Sequence, residues 1–286
     1  MFFGIEAGGT KFNCVVGEGA QITETRRIPT TTPEETLAAC RAFFDDAIGR
    51  HGPPEALGIA TFGPVDLTTG RMGPTPKPGW AGADLLGAFE GYDCPIGLET
   101  DVTGAAIGEA VHGAGAGLSH LVYLTVGTGV GGGALTDGRP LRGLPHPEMG
   151  HVLVTRDPTD EFEGTCPHHT DCLEGLACGP AISRRWGRSS HDLGPHLEAA
   201  VALEADYLAQ GLVSIVGVLA PERVILGGGV MAIPGVLDAT RVRFGELASG
   251  YPSAEAQRDL GTFLSPPGLG GDAGMVGALV MAAGLA

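Results

Sequence analysis

The sequence predicts an α/β protein made of two units, and three observations carry that prediction. Two segments, "GIEAGGTKFNCVVGE" (4–18) and "YLTVGTGVGGGALTDG" (123–138), share one plan: an apolar run, a glycine cluster and a second apolar run. Each reads as a strand, a tight turn and a strand. Strand-like and helix-like stretches then alternate along the chain, the order that builds sheets covered by helices. The 49 glycines are clustered rather than periodic, which excludes collagen-like and low-complexity chains.

The elements come in order. After the first hairpin, "TPEETLAACRAFFDDAIGRH" (32–51) opens on Thr-Pro with Glu34 and Glu35 in the first turn and carries an apolar stripe at Leu37, Cys40, Phe43, Phe44 and Ile48. That is an amphipathic helix with a start signal. "ALGIATFGPV" (56–65) reads as a buried strand ending in a Gly-Pro loop, and "CPIGLETDVTGAAIGEAVHGA" (94–114) as a strand running into a helix. Beyond the second hairpin, residues 195–221 read as a long helix, "ERVILGGGVM" (222–231) as a strand ending in a third glycine loop, and residues 272–286 as a terminal helix. The two units meet near residue 105, giving an expected division of 1–104 plus 273–286 against 105–272.

Bulk properties narrow the function. Of the 286 residues, 43% are hydrophobic, enough for a core without disulfides. Six cysteines with no compact framework point to a reducing compartment, and no segment reads as a signal peptide or membrane span, so a cytoplasmic protein is expected. The net charge of −16 is the wrong sign for a nucleic-acid partner. Only two of 17 basic residues are lysines, Lys11 and Lys77, each in a glycine- or proline-rich loop.

The glycine loops are not dinucleotide fingerprints. "GTGVGG" (127–132) matches G-x-G-x-x-G, but a strand-like run comes next where that chemistry needs a helix N-terminus. A P-loop is excluded because "EAGGTK" has the order Gly-Thr-Lys. A strand–glycine turn–strand still cradles phosphates through closely approaching backbone amides, and Thr10, Thr128 and Lys11 add donors. One such turn is an ordinary hairpin; two, with "LGGGVM" (226–231) as a third loop, suggest a nucleotide site.

The set "GIEAGGTK", "GTGVGG" and "LGGGVM" resembles the two phosphate loops and the adenosine loop of the actin–hexokinase–Hsp70 ATPase fold. "GIEAGGTKF", "TPKPGW", "HPEMGH" and "CPHHTDCLEG" are similar to the fructokinase-like subgroup of the ROK family of sugar kinases and repressors, over essentially the whole chain. The resemblance implies two actin-like, ribonuclease H-like domains with a cleft between them and a zinc-bound loop. It implies ATP-dependent phosphorylation of a hexose, most plainly fructose to fructose 6-phosphate, with Mg²⁺ and structural Zn²⁺ and a homodimeric assembly. Glucose, mannose or an N-acetylated amino sugar are alternative substrates, and a non-catalytic sugar-binding regulator is an alternative of another class. A ROK repressor needs a helix-turn-helix before the first glycine loop, which here begins at residue 4.

Residue by residue, the resemblance makes Asp101 the base that takes the proton of the sugar hydroxyl. It assigns Gly8, Gly9, Thr10, Lys11, Gly127, Thr128, Gly129, Gly179, Pro180, Gly227, Gly228 and Gly229 to the nucleotide. Gly63, Pro64, Lys77, Glu148, His151 and Glu174 fall to the sugar, with Trp80 near Lys77. Glu6 stands where most of the superfamily has aspartate, as in the fructokinase subgroup, and is expected near Mg²⁺ through water. Thr100 and Thr103 flank Asp101 where many relatives carry an asparagine. His151, Cys166, His169 and Cys172 offer four nitrogen and sulfur ligands, which close a tetrahedral zinc site. His168 competes for the third place, and the even two-residue spacing favours His169. Glu163 reads as a solvated charge. The segment 155–165, "TRDPTDEFEGT", is polar and is expected to depend on the metal for its order.

Overall fold

Strand β1 (Phe2–Ala7) sends Phe3, Ile5 and Ala7 to one face and Phe2, Gly4 and Glu6 to the other. It belongs to a computed structural model that describes residues 1–75, 77–144, 146–251 and 259–286; Pro76 of the "TPKPGW" motif lies outside the described residues. β2 (Lys11–Glu18) pairs antiparallel to β1 with Ala7 opposite Phe12, so residues 8–10 form the turn. β3 (Gln21–Pro29) pairs antiparallel to β2 at the sheet edge with mostly exposed polar side chains, which is why no apolar pattern announces it. Helix α1 (Pro33–His51) starts where its sequence says: the Thr32 side chain accepts the Glu35 amide at 3.3 Å and Pro33 opens the first turn. It buries Cys40, Phe43 and Phe44, and Phe44 stacks on Phe3 at 4.9 Å.

β4 (Leu57–Thr61) and β5 (Ile96–Thr100) run parallel to β1 and complete the order β3-β2-β1-β4-β5. The other face is covered by α2 (Asp101–His112) and the C-terminal α8 (Ala273–Ala283). These elements form the first compact unit, residues 1–117, 138–146 and 268–286. The expected division at residue 105 falls inside α2, which lies wholly in this unit because it packs on α8.

That packing is backbone to backbone. A Cβ on Gly277 would overlap the Gly104 carbonyl oxygen, and one on Gly58 would overlap that of Ala278. No flexible side chain can yield there. Gly277→Ala is expected to cost about 3 kcal/mol or more, at the top of the overpacking range. The measurement is a lower denaturant midpoint at unchanged slope.

Glu109, fully buried near the end of α2, is satisfied by three backbone amides: Ala114 at 2.6 Å, Gly268 at 2.9 Å and Leu269 at 2.9 Å. A buried carboxylate needs such donors.

The second unit comprises residues 118–137 and 147–267. β6 (Leu121–Val126) and β7 (Val130–Thr136) form the second hairpin; the short β8 (Arg139–Pro140) lies in the stretch assigned to the first unit. α3 (Leu173–Ala177), α4 (Gly179–Trp186) and the long α5 (Leu197–Leu219) come after it. β9 (Arg223–Gly227) lies parallel to β6, and α6 (Val236–Ala248) packs on α5. The short α7 (Leu260–Phe263) leads into β10 (Leu264–Ser265), giving β10-β9-β6-β7.

The polar segment 155–165 is held by its own side-chain contacts, contrary to the expectation from its composition. The Asp160 side chain is buried and accepts Arg185 Nε at 3.1 Å, Tyr207 Oη at 2.7 Å and the Phe162 amide at 3.1 Å. The Arg185 guanidinium lies over the Phe162 ring, 4.7 Å from its centre. Arg156 reaches Asp171 at 2.8 Å and the Thr170 carbonyl at 3.1 Å. Burial alone would raise the Asp160 pKa; Tyr207 and Arg185 outweigh it and hold the carboxyl below its usual value.

Candidate active site and metal cluster

Parallel pairing fixes the first half of the site. Ala7, Thr61 and Thr100 stand in one row across β1, β4 and β5. The chain therefore leaves all three strands along one edge: the turn 8–10 after β1, Gly63 and Pro64 after β4, and Asp101 after β5. In open sheets this carboxyl edge is where ligands bind.

The first turn is braced from below. The Gly8 amide donates to the Lys11 carbonyl at 2.8 Å, and Thr30 donates its hydroxyl to the Gly8 carbonyl at 2.7 Å. Gly9 and Thr10 are exposed at the tip, and Lys11 is half-buried. Glu6, one row back, accepts Asn13 Nδ2 at 2.7 Å. Its side chain lies against α8, where a Cβ on Gly274 would come within 2.8 Å of Glu6 Cγ. Lys77 donates to the Thr30 carbonyl at 2.9 Å, which puts its ammonium beside this turn. Trp80 is fully buried between Phe12 and Phe62 and donates to the Thr31 carbonyl, so it serves the core.

Asp101 is the first residue of α2, and its carboxylate accepts the Val102 amide at 2.9 Å. Thr100 caps the helix: its oxygen accepts the Thr103 amide at 3.2 Å, and its hydroxyl donates to the Thr103 hydroxyl at 2.8 Å. The two threonines therefore satisfy each other and fix the turn that presents Asp101. Just before them, Glu99 is almost fully buried and pairs with Arg142, with Nε at 2.7 Å. Burial pushes the Glu99 carboxyl above its ordinary pKa, and Arg142 opposes the rise. The His146 ring lies 3.2 Å from where a Cβ on Gly63 would stand. Neither contact is legible in the sequence, because the partners are separated by more than forty residues with no pattern linking them.

The second unit repeats the device. Thr125 pairs with Gly227, so the turn 127–129 and Gly228–Gly229 share the carboxyl edge of β6 and β9. Gly228 has φ of +93°, and a Cβ there would overlap the Val126 carbonyl, so only glycine fits. Gly179, opening α4 with Pro180 in its first turn, donates to the Gly127 carbonyl at 2.7 Å. All the nucleotide candidates of this unit are thus brought together. Ser190 and His191, not singled out by sequence, stand beside Gly179 and Gly229.

The cluster His151, Cys166, His169 and Cys172 also assembles, its ligand atoms all within 4.8 Å of one another, and His168 is outside it. His151 Nδ1 stands 3.7 Å from Cys166 Sγ and 3.6 Å from Cys172 Sγ, and His169 Nδ1 stands 3.6 Å from Cys166 Sγ. A tetrahedral zinc with ordinary Zn–N and Zn–S bonds needs N···S edges of about 3.6 Å. The residues fit the ion. Burial, with Cys166 beside it, pushes the Cys172 thiol up to about 11. Glu174 accepts the Val130 amide at 3.0 Å, and its other oxygen lies 4.0 Å from His151 Nε2. Glu148 precedes the turn carrying His151 and is exposed, as is Glu163.

Comparison with known proteins places this geometry. The family model described as "ROK family" matches residues 2–284. A fructokinase of Zymomonas mobilis subsp. mobilis is 43% identical over 97% of this chain and 95% of its own length. A ROK hexokinase from Thermus thermophilus superposes with a TM-score of 0.82 at 30% identity, covering 99% of this chain and 97% of that one. A ROK glucokinase from Streptomyces griseus, solved with glucose and AMPPNP, gives 0.79 at 26% identity, with 99% of each chain covered. The two mixed sheets with their helices have the actin-like ATPase fold of these kinases.

Proposed function

The chain belongs to the ROK family, and from that membership we propose that it is a fructokinase, transferring the γ-phosphoryl group of ATP to D-fructose to give fructose 6-phosphate. One observation carries the reading: Asp101, the first glycine turn and Gly63–Pro64 share one sheet edge in a chain 43% identical to a fructokinase. Asp101 takes the proton of the C6 hydroxyl as that oxygen attacks the γ-phosphorus and ADP leaves. The amides of both turns, the Thr10 and Thr128 hydroxyls and Lys11 hold the phosphates, with Gly179, Pro180 and Gly227–Gly229 on the nucleoside side. Glu148, His151, Glu174, Gly63, Pro64 and Lys77 are assigned to the sugar.

Two metals belong to the proposal. Glu6, fixed by Asn13 with one oxygen, would hold Mg²⁺ through water, the mode that ion prefers; Mg²⁺ neutralises phosphate charge. His151, Cys166, His169 and Cys172 would hold zinc, and a set closed by four ligands orders structure rather than activating water. A homodimer and a cytoplasmic site, whose reducing conditions suit six cysteines that form no disulfide, complete the reading.

A coupled turnover screen with ATP across fructose, glucose, mannose and N-acetylmannosamine tests it. The highest kcat/KM is expected for fructose. A clear preference for another sugar would reassign the substrate, and no turnover on any would end the kinase reading.

A further inference from the structure

We propose that Glu174, beyond the sugar contact assigned to it above, has a positioning role: it ties the metal cluster to the second glycine turn, so that metal occupancy sets the affinity for nucleotide. The inference rests on the reading of residues 127–129 as a phosphate turn.

Three sets of contacts carry it, all within the second unit. First, Glu174 sits on α3, whose N-terminal cap is the cluster residue Cys172; the Cys172 sulfur accepts the Gly175 amide at 3.3 Å. Fixing Cys172 fixes the start of this short helix. Second, the two Glu174 oxygens face different partners. Oε2 accepts the Val130 amide at 3.0 Å, at the foot of the turn. Oε1 lies 4.0 Å from His151 Nε2, while His151 Nδ1 faces both cysteines. A carboxylate behind a metal-bound imidazole orients the ring and raises its basicity. Third, the fit against the turn is close. A Cβ on Gly129 would stand 2.6 Å from Glu174 Oε2. The same helix reaches the turn again at its far end: the Cys178 amide donates to the Glu174 carbonyl at 3.2 Å, and the next residue, Gly179, donates to the Gly127 carbonyl at 2.7 Å.

A carboxylate that merely accepted the Val130 amide would need no relation to His151. Here one side chain contacts the turn with one oxygen and faces a metal ligand with the other. Coupling through it must be reciprocal: nucleotide strengthens metal binding by the factor by which metal strengthens nucleotide binding.

The experiment uses the full chain loaded with zinc. Zinc affinity is read by chelator competition, and nucleotide affinity by calorimetry with a non-hydrolysable ATP analogue. Gly129→Ala contacts no cluster residue but displaces the Glu174 carboxylate, and is expected to weaken zinc about tenfold; Glu174→Ala is expected to weaken both zinc and the analogue by about that factor, the low end for such supporting carboxylates. Should Glu174→Ala fold poorly, Gly129→Ala and zinc-stripped wild type still decide the question. Unchanged zinc affinity in Gly129→Ala, or an analogue affinity indifferent to zinc removal, would overturn the coupling. A wild-type protein that binds no analogue, with or without zinc, would overturn the nucleotide reading itself and this coupling with it.

Discussion

Asp101→Asn is expected to lower kcat by about two to four orders of magnitude, the range for loss of a general base, while fructose binds almost as before. The substitution is close to isosteric. An asparagine oxygen can still accept the Val102 amide, and the Thr100–Thr103 cap does not involve the Asp101 side chain. What disappears is the capacity to hold a proton as the hydroxyl attacks. Steady-state kinetics and calorimetric sugar binding separate the two effects. An Asp101→Asn enzyme with near-normal kcat would remove this residue from the chemistry.

Cys172→Ser is expected to release most of the bound zinc and to raise the fructose KM at least about tenfold, through the loss of order at His151 and Glu174. Serine is a good helix cap, so it can replace the sulfur that accepts the Gly175 amide, and α3 keeps its start. The substitution therefore isolates the metal. The overall fold should survive, because Asp160, Arg185 and Tyr207 anchor residues 156–162 independently. Atomic absorption, circular dichroism and the sugar KM read the three parts. Full zinc content in this variant would exclude Cys172 as a ligand.

The same centre sets a pH dependence. With no metal, the Cys172 thiol holds its proton up to about 11. Zinc must displace that proton, so its apparent affinity rises with pH, by up to tenfold per unit from this one group. Below neutral pH the metal is progressively lost. Chelator competition between about pH 6 and pH 8 measures the slope, and a flat response would mean that no thiol proton is released.

Much of this was legible in the chain because it is local. The glycine turns between apolar runs, the capped start of α1 at Thr32 and Pro33, and the spacing of Cys166, His169 and Cys172 are all short-range patterns. The features that escaped are set by distant pairings. Residues 155–165 look unable to pack, since nothing nearby shows that Asp160 will meet Arg185 and Tyr207. Glu99 reads as one more strand residue, although its burial requires Arg142. Glu174 reads as a sugar ligand by resemblance, and only the fold reveals its bond to Val130. Strand β3 escaped for another reason: an edge strand exposing polar side chains carries little hydrophobic signal.

Glu109 has a consequence for how the chain tolerates change. The backbone first departs for the second unit shortly after Ala114, revisits the first at residues 138–146 and comes back for good at Gly268, and one carboxylate grips the first exit and the last return. The intervening stretch behaves as a lasso knotted at its neck. Lengthening or trimming the surface loops far from the knot costs little, because closure entropy grows only slowly with loop length. A substitution at the knot itself is felt at both ends of the excursion at once.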